Sequence, residues 1–245
     1  MSINFYALII GTEILNARRE DKHFKFVRDE LQKYDEELFA SFIVKDDKEL
    51  MKKSFSLIKS DENSVLFSFG GIGSTPDDLT REIASEIFTQ KPLVRHKKFE
   101  QDIIDRFKKK AYPNRIHMSD LPQDAKLLFN EVNNMSGFCL EDRFFFTPGF
   151  PEMAHPMIKD VIKSLCSQSK KKFRFTLLAN TSEDTLIEQM KLLPPSVELS
   201  SLPIFINKKP QVELSLSGYE EKEVREYFEL FKNELQKLKV GYKLL

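Results

Sequence analysis

Residues 65–80 read VLFSFGGIGSTPDDLT and contain three of the eight glycines of the chain. An apolar run, Val65–Phe69, leads into the glycine-rich segment Gly70–Gly73, and a helical pattern follows Asp77 and Asp78. This order predicts a strand, a glycine-rich turn and the N-terminus of a helix. Unpaired backbone N–H groups and a helix dipole at such a turn favour a bound phosphate group.

Local features leave two interpretations of this loop open. It has neither the G-x-G-x-x-G spacing of a dinucleotide-binding loop nor the Gly-Lys pair of a Walker A loop. Glycines also serve tight strand-to-helix connections, and Asp77 and Asp78 can cap a helix in the absence of any ligand. Carboxylates repel a phosphate unless a divalent cation lies between them and the phosphate. Asp77 and Asp78 therefore favour such a cation, with Glu13 and Asp46, at neighbouring strand ends, as further ligands.

Strand and helix patterns alternate three times within the first ninety residues. The predicted strands are Ile3–Ile10, Leu38–Val44 and Val65–Phe69, and helical patterns follow each of them. Such alternation predicts a parallel sheet with helices on both faces. Ligands of these sheets bind beyond the carboxyl ends of the strands, where this chain carries Gly11-Thr12-Glu13, Asp46 and the glycine loop.

The rest of the chain predicts a second, smaller domain after the polar linker Ser167–Lys172. The further predicted elements are helix Asp77–Phe88, helix Lys97–Lys110, loop Tyr112–Gln123, strands Lys126–Phe129, Gly137–Leu140 and Arg143–Phe146, the turn Thr147–Glu152 with a helix to about Leu165, strand Phe173–Leu178, helix Glu183–Leu193, strands Val197–Leu202 and Val212–Leu216, and helix Glu220–Lys239. We therefore predict an α/β fold, a three-layer sandwich with a mostly parallel sheet over residues 1–168, and a small α+β domain over residues 172–245.

Composition excludes several classes of function. Basic and acidic residues balance at 38 each, which argues against a nucleic-acid partner and an anionic membrane surface. No apolar run is long enough to cross a bilayer, and Met1–Asn4 lacks the basic region of a signal peptide. Two isolated cysteines, Cys139 and Cys166, predict thiols in a reducing compartment, so we expect a cytoplasmic protein.

Other catalytic centres have little support in the sequence. The histidines, at positions 23, 96, 117 and 155, match no zinc-ligand spacing and are predicted to be structural or exposed. Ser74 has no evident base nearby in sequence, and no Gly-x-Ser-x-Gly elbow occurs, which disfavours a serine nucleophile.

The glycine loop resembles the GG-[LTI]-G-P-T-x-D-D-x-T motif of the MoaB/Mog molybdopterin-binding domain family, and within it the N-terminal part of CinA-type competence/damage-inducible proteins. Gly11–Leu15 is similar to the family's GDE-[IL]-L, Val44–Asp47 to V-x-D-D, Leu121–Asn130 to L-P-x-x-A…N, and Thr147–Met153 to L-P-G-V-P-x-E-M. These matches lie in the family's order over about residues 3–165. The tail from about residue 172 resembles, more faintly, the small module that follows in CinA-type chains.

The resemblance implies a ligand and a set of site residues. The ligand would be molybdopterin or an adenine nucleotide, and a divalent ion (Mg²⁺, Mn²⁺ or Co²⁺) would assist cleavage of a pyrophosphate, as in ADP-ribose, or adenylyl transfer. Relatives of this kind form homo-dimers or homo-trimers. The implied catalytic residues are Asp46 and Asp78, the ligand-binding residues are Gly70, Gly71, Gly73, Ser74, Thr75, Thr80, Gly149 and Pro151, and the metal ligands are Asp46, Asp78 and Glu13.

Departures from the family pattern support an alternative hypothesis. Thr12 replaces the acid of GDE, Ser74 replaces the proline of the loop, and Asp21–His23 reads D-K-H where the family has D-T-N. A non-catalytic binding or interaction module would keep the phosphate loop and lose the chemistry. The deamidase domain of full-length CinA proteins has no counterpart in these residues, so its activity is not transferred.

Overall fold

The computed structural model of the chain describes residues 3–167, 171–206 and 209–245. These fall into two compact units, Met1–Gln168 and Ser169–Leu245. Residues 1–2 of the segment Met1–Asn4, which was predicted not to be a signal peptide, and residues 168–170 of the predicted linker lie outside the described residues.

The first unit contains eight strands and six α-helices among its described residues. The strands are β1 (Asn4–Ile10), β2 (Leu38–Val44), β3 (Ser64–Phe69), β4 (Leu93–Arg95), β5 (Asp120–Pro122), β6 (Lys126–Leu128), β7 (Gly137–Leu140) and β8 (Phe144–Thr147). The helices are α1 (Thr12–Leu15), α2 (His23–Gln32), α3 (Lys48–Ser60), α4 (Thr80–Ala84), α5 (Lys97–Phe107) and α6 (Pro151–Cys166).

Six of the strands form one sheet, in the order β2-β1-β3-β8-β7-β6. The first four strands of that order run parallel, and the remaining two join antiparallel. β4 and β5 form a separate antiparallel pair. The apolar runs of β1 and β3 are buried on both faces, as parallel strands between two helix layers require.

Helices cover both faces of the sheet and complete the predicted three layers. On one face, α3, α4 and α5 contribute buried side chains such as Phe55, Ile83 and Ile103 to a phenylalanine-rich core. On the other face, α2 and α6 bury Val27 and Ile158 against the sheet. The predicted fold class is confirmed.

Several element boundaries differ from the prediction for local reasons. The helix predicted from Asp77 begins at Thr80 and continues after Ala84 as a π-helical turn, Ser85–Thr89. The helix predicted to Lys110 ends at Phe107, because Lys108 adopts a positive φ of 51°. The predicted loop Tyr112–Gln123 contains a 3₁₀ turn and strand β5, whose partner β4 was not predicted.

The second unit is a four-stranded antiparallel sheet with one long helix. Its elements are β9 (Phe173–Ala179), a 3₁₀ turn (Glu183–Leu186), α7 (Ile187–Met190), β10 (Glu198–Ile206), β11 (Lys209–Gly218), α8 (Glu221–Lys237) and β12 (Tyr242–Leu244), and the strand order is β10-β11-β9-β12. Helix α8 packs Val224, Phe228 and Phe231 on this sheet. The helix predicted over Glu183–Leu193 is these two short turns, and β12 was not predicted.

No helix within the described ranges has both the length and the apolar character needed to cross a membrane.

Candidate functional site

The glycine-rich loop turns sharply where β3 ends. Gly70 and Gly71 have φ angles of 102° and 69°, a conformation that glycine adopts freely and other residues rarely adopt. Neither position has room for a side chain. A Cβ on Gly70 would lie 2.4 Å from the carbonyl oxygen of Ile10, and one on Gly71 would lie 2.3 Å from Thr80 Oγ1. The loop therefore lies directly against the end of β1 and the start of α4.

Arg81, which sequence reasoning did not select, holds the loop from inside. Its side chain is 8% exposed, and Nη1 donates hydrogen bonds to the carbonyl oxygens of Ile72 and Gly73. The buried Nε has no partner among the described residues. Burial lowers the pKa of the Arg81 guanidinium, but the ordinary value is so high that the group stays protonated at neutral pH. A permanent positive charge thus lies beneath the loop.

The loop keeps four consecutive backbone donors. The N–H groups of residues 71–74 donate to no acceptor within the described parts of the chain. The flanking N–H groups are bonded: Gly70 N donates to Thr147 O at 3.0 Å, and Thr75 N donates to Asp78 Oδ2 at 2.7 Å. Successive unpaired N–H groups in a turn, with a cation beneath them, form a concave site suited to an anion.

Two predicted site residues stabilise the loop itself. Thr80 is fully buried, and its Oγ1 donates to Gly70 O at 2.9 Å. Asp78 Oδ2 accepts from both the N–H and the hydroxyl of Thr75, at 2.7 and 2.5 Å. These bonds close residues 75–78 into a turn, which explains why α4 begins three residues later than its acidic residues suggested.

Asp46 makes a similar local contact with Thr12. The N–H and the hydroxyl of Thr12 both donate to Asp46 Oδ2 at 2.9 Å, and Asp46 N donates back to Thr12 Oγ1 at 3.3 Å. The strand ends that carry these residues therefore meet, as β1 and β2 pair. The threonine that departs from the family pattern has become a neutral hydrogen-bond partner for the aspartate.

The predicted metal ligands are not brought together. Within the described residues, no three His, Cys, Asp or Glu side chains form a group that could hold a metal ion. Glu13 forms a 3.6 Å ion pair with Arg19, while one oxygen each of Asp46 and Asp78 accepts two hydrogen bonds from its own neighbourhood. These residues do not fit a preformed divalent-metal site.

The second predicted turn lies beside the first. A Cβ on Gly149 would be 3.4 Å from the Cα of Gly70, so the two turns touch. Pro151 follows as the first residue of α6, a position that suits its fixed φ, after Phe150 as the N-cap. A small cavity at this junction is lined by Glu13, Gly149 and Pro151 among others. The structure thus places Gly149 and Pro151 at the edge of the loop crevice.

A histidine pair, absent from the predicted site, packs behind the second turn. His23 is buried and stacks on Phe69 with ring centroids 4.2 Å apart, and its Nε2 lies 3.4 Å from Gly149 O. His155 Nε2 lies 3.2 Å from His23 Nδ1, and its ring stacks on Phe26. Both histidines, predicted to be structural or exposed, are packed side chains within the first unit.

These histidines predict a pH dependence of stability. Burial, followed by the charge of His23, lowers the pKa of His155 to about 4, and burial also lowers the pKa of His23. Histidine side chains in the unfolded chain have a pKa near 6.5. Between about pH 6.5 and pH 4 the unfolded chain therefore binds more protons than the folded chain does. We expect the free energy of unfolding to fall by about 1 kcal/mol from pH 7.5 to pH 5, since solvent reaching the His155 ring screens part of the effect.

Urea unfolding at several pH values checks this, with His155→Phe as the comparison because phenylalanine keeps the ring stack and does not titrate. An unchanged pH slope in that variant would contradict the assignment of the effect to the histidine pair.

Together, the fold and the site define an α/β protein with a glycine-rich loop at the carboxyl edge of a mostly parallel sheet. The model for the family described as "Probable molybdopterin binding domain" matches residues 6–168. The chain belongs to this family.

Relatives and a solved structure agree with this placement. A CinA-like protein of Fusobacterium nucleatum is 27% identical over 157 residues, covering 63% of this chain and 38% of its own length. A CinA-like protein of Flavobacterium psychrophilum is 26% identical over 241 residues, covering 93% and 57%. The chain therefore spans about two fifths to three fifths of the length of these curated relatives. The crystal structure of CinA from Thermoplasma acidophilum, 22% identical, superposes with a TM-score of 0.59 over 66% of this chain and 98% of that one, and shows the same fold.

Proposed function

We propose that the Gly70–Asp78 loop binds the phosphate of a small molecule, a molybdopterin-like pterin or an adenine nucleotide such as ADP-ribose. The observation that carries the proposal is the row of four backbone N–H groups at residues 71–74, which have no acceptor in the described residues. Ile72 is buried and Gly71, Gly73 and Ser74 are half-buried, and an anion would accept from several of these N–H groups at once.

Two further features favour an anion at the same place. The guanidinium of Arg81 lies beneath the loop and is bonded to it, so its charge attracts an anion above. The N-terminus of the 16-residue helix α6, at Pro151, lies beside Gly70 through the second turn. Its dipole adds partial positive charge. The predicted ligand contacts of Ser74 and Thr75, the residues that follow Gly73 in the loop, are part of this proposal.

The family's description and the names of its relatives support the pterin or nucleotide part of the proposal. The two CinA-like relatives are longer than this chain, so their whole-protein activities do not transfer with the family placement. Homo-oligomerisation, as a dimer or trimer, and a cytoplasmic location remain predictions.

The geometry favours binding over turnover. One carboxylate oxygen of each predicted catalytic residue accepts a hydrogen bond from a threonine hydroxyl, Thr12 for Asp46 and Thr75 for Asp78. In the described part of the chain, no three side chains form a group that could hold a metal ion. This supports the non-catalytic binding module. Metal-dependent pyrophosphate hydrolysis and adenylyl transfer remain predictions from the resemblance.

A ligand screen with and without metal distinguishes the non-catalytic binding module from the metal-dependent enzyme. We expect ADP-ribose, ATP or molybdopterin to bind in calorimetry without added metal, with Mg²⁺, Mn²⁺ or Co²⁺ changing the dissociation constant less than about threefold, because amides and a guanidinium supply the attraction. Asp78→Asn should weaken binding by about threefold to tenfold, since it loosens the Thr75 turn. The surface variant Asp142→Asn should not.

Failure of all three compounds to bind, with and without metal, would refute phosphate binding. Metal-dependent turnover that disappears in Asp78→Asn, but not in Asp142→Asn, would instead establish the enzyme.

A further inference from the structure

The His23–His155 pair connects helices α2 and α6 at the back of the second turn. Three rings and one carbonyl group form a row of contacts in space. The Phe26 ring stacks on His155, and His155 Nε2 lies 3.2 Å from His23 Nδ1. His23 Nε2 lies 3.4 Å from Gly149 O. His23 also stacks on Phe69, the last residue of β3. One side chain therefore touches both the end of the strand that leads into the glycine loop and the turn beside that loop.

The partners decide which nitrogen of each ring carries the hydrogen. A carbonyl oxygen only accepts, so His23 Nε2 must carry the N–H that faces Gly149 O. In a neutral ring, His23 Nδ1 is then the acceptor, and the hydrogen between the two rings belongs to His155 Nε2. His155 thereby fixes the tautomer in which His23 can donate to Gly149. The other His23 tautomer would turn a lone pair towards the carbonyl oxygen.

The charges around the pair are mixed and allow both rings to remain neutral. Asp21, Arg19 and Glu152 face His23, and Glu152, Asp21 and Glu30 face His155. Burial dominates these charges for both rings and lowers both pKa values. At neutral pH the pair is therefore two uncharged rings with a defined direction of hydrogen bonds.

The carbonyl that His23 holds sets the direction of the next backbone donor. In a trans peptide the C=O and the following N–H point in opposite directions, so a Gly149 carbonyl held towards His23 turns the Phe150 N–H away from it. Phe150 N has no acceptor in the described residues. Gly149 lies against Gly70, so this donor belongs to the turn that flanks the phosphate loop.

We propose that His23 and His155 are positioning residues of the phosphate site. His155 fixes the tautomer of His23, and His23 holds the Gly149 peptide. The second turn then stays closed on the Gly70 loop, and the Phe150 N–H is available to the ligand. This inference rests on the proposed function and extends it to the second turn. It assigns the ligand one donor outside the glycine loop.

Two substitutions at position 155 test the pair while keeping the helix. His155→Gln keeps an N–H at the place of Nε2, and His155→Phe keeps the stack on Phe26 but has no donor. Imidazole ¹⁵N NMR reads the tautomer of His23 directly, and calorimetry with ADP-ribose reads the site. We expect the Nε2–H tautomer in the wild type and in His155→Gln, a mixture of tautomers in His155→Phe, and ADP-ribose binding weakened about fivefold only in His155→Phe.

The outcomes separate this inference from the proposed function. A wild-type His23 in the Nδ1–H form, or a His155→Phe variant with unchanged tautomer and unchanged backbone amide shifts at Gly149 and Phe150, would overturn the role of the pair. Equal affinities in His155→Phe and His155→Gln would do the same. If the wild type does not bind ADP-ribose, that arm of the proposed function fails, and the tautomer and the two amide shifts alone decide the inference.

Discussion

Replacing Arg81 with methionine is expected to lower the free energy of unfolding by about 2–3 kcal/mol and to weaken phosphate binding at least about tenfold. Methionine fills much of the buried space but cannot donate to the carbonyl oxygens of Ile72 and Gly73, which Arg81 Nη1 now bonds. Hydrogen bonds from a charged donor contribute about 1.5–3 kcal/mol, and buried acceptors left without a donor are costly. The loop also loses the positive charge beneath its amides.

Two comparisons isolate the cause of the Arg81 effect. Arg81→Lys keeps the charge but offers a compact ammonium on a shorter side chain, so we expect binding and stability between those of wild type and Arg81→Met. Arg28→Met removes an exposed guanidinium that bonds only its neighbour Asp29 among the described polar groups, and should change stability by less than about 0.5 kcal/mol. Urea unfolding and ADP-ribose calorimetry give both readouts. A wild-type affinity in a folded Arg81→Met protein would show that the charge does not serve the ligand.

The first three parallel strands and the position of the loop followed from the sequence because apolar runs and glycines report burial and turns directly. Val65–Phe69 is apolar at four of its five positions because β3 is covered on both faces. Gly70 and Gly71 are glycines because their φ angles are positive. These features depend on the nearest few residues, which a sequence displays.

The residues that hold the site were missed because their role depends on where a helix begins. Apolar spacing alone would place Phe24 with Val27 on the buried face of α2, but Phe24 is 40% exposed and His23, four residues before Val27, is buried. Likewise Arg81 precedes Ala84 and Phe88 on a buried face by three and seven residues. A polar residue at the head of an apolar helical face was the available signal.

The metal hypothesis depended on distances that a sequence does not contain. Two acids in a loop predict a cation only if nothing nearer binds them. Here Thr75 donates to Asp78, three residues further along the loop. Thr12, at the end of β1, donates to Asp46, at the end of β2. The departure at position 12 was visible in the sequence, and its pairing with Asp46 gives that departure a physical meaning.

Replacing Gly70 with alanine is expected to lower the free energy of unfolding by about 3–5 kcal/mol and to abolish measurable ADP-ribose binding. Two costs combine. A φ of 102° is strained by about 1–3 kcal/mol for a residue with a Cβ, and the added methyl would lie 2.4 Å from the Ile10 carbonyl oxygen. That oxygen belongs to backbone at the end of β1, in the middle of the sheet, so the overlap can be relieved only by moving the loop or the strand.

The same change at Gly241 is the matched control for Gly70. A Cβ there would meet only the side-chain nitrogen of Asn180, at 3.1 Å, and that side chain can move. We expect Gly241→Ala to change stability by less than about 1 kcal/mol and to leave ADP-ribose binding as in the wild type. Urea unfolding at pH 7.5 and calorimetry measure both variants. A Gly70→Ala protein that unfolds like the wild type, or still binds ADP-ribose with wild-type affinity, would show that the loop does not need its left-handed turn. That result would contradict the assignment of the N–H groups of residues 71–74 as the anion site.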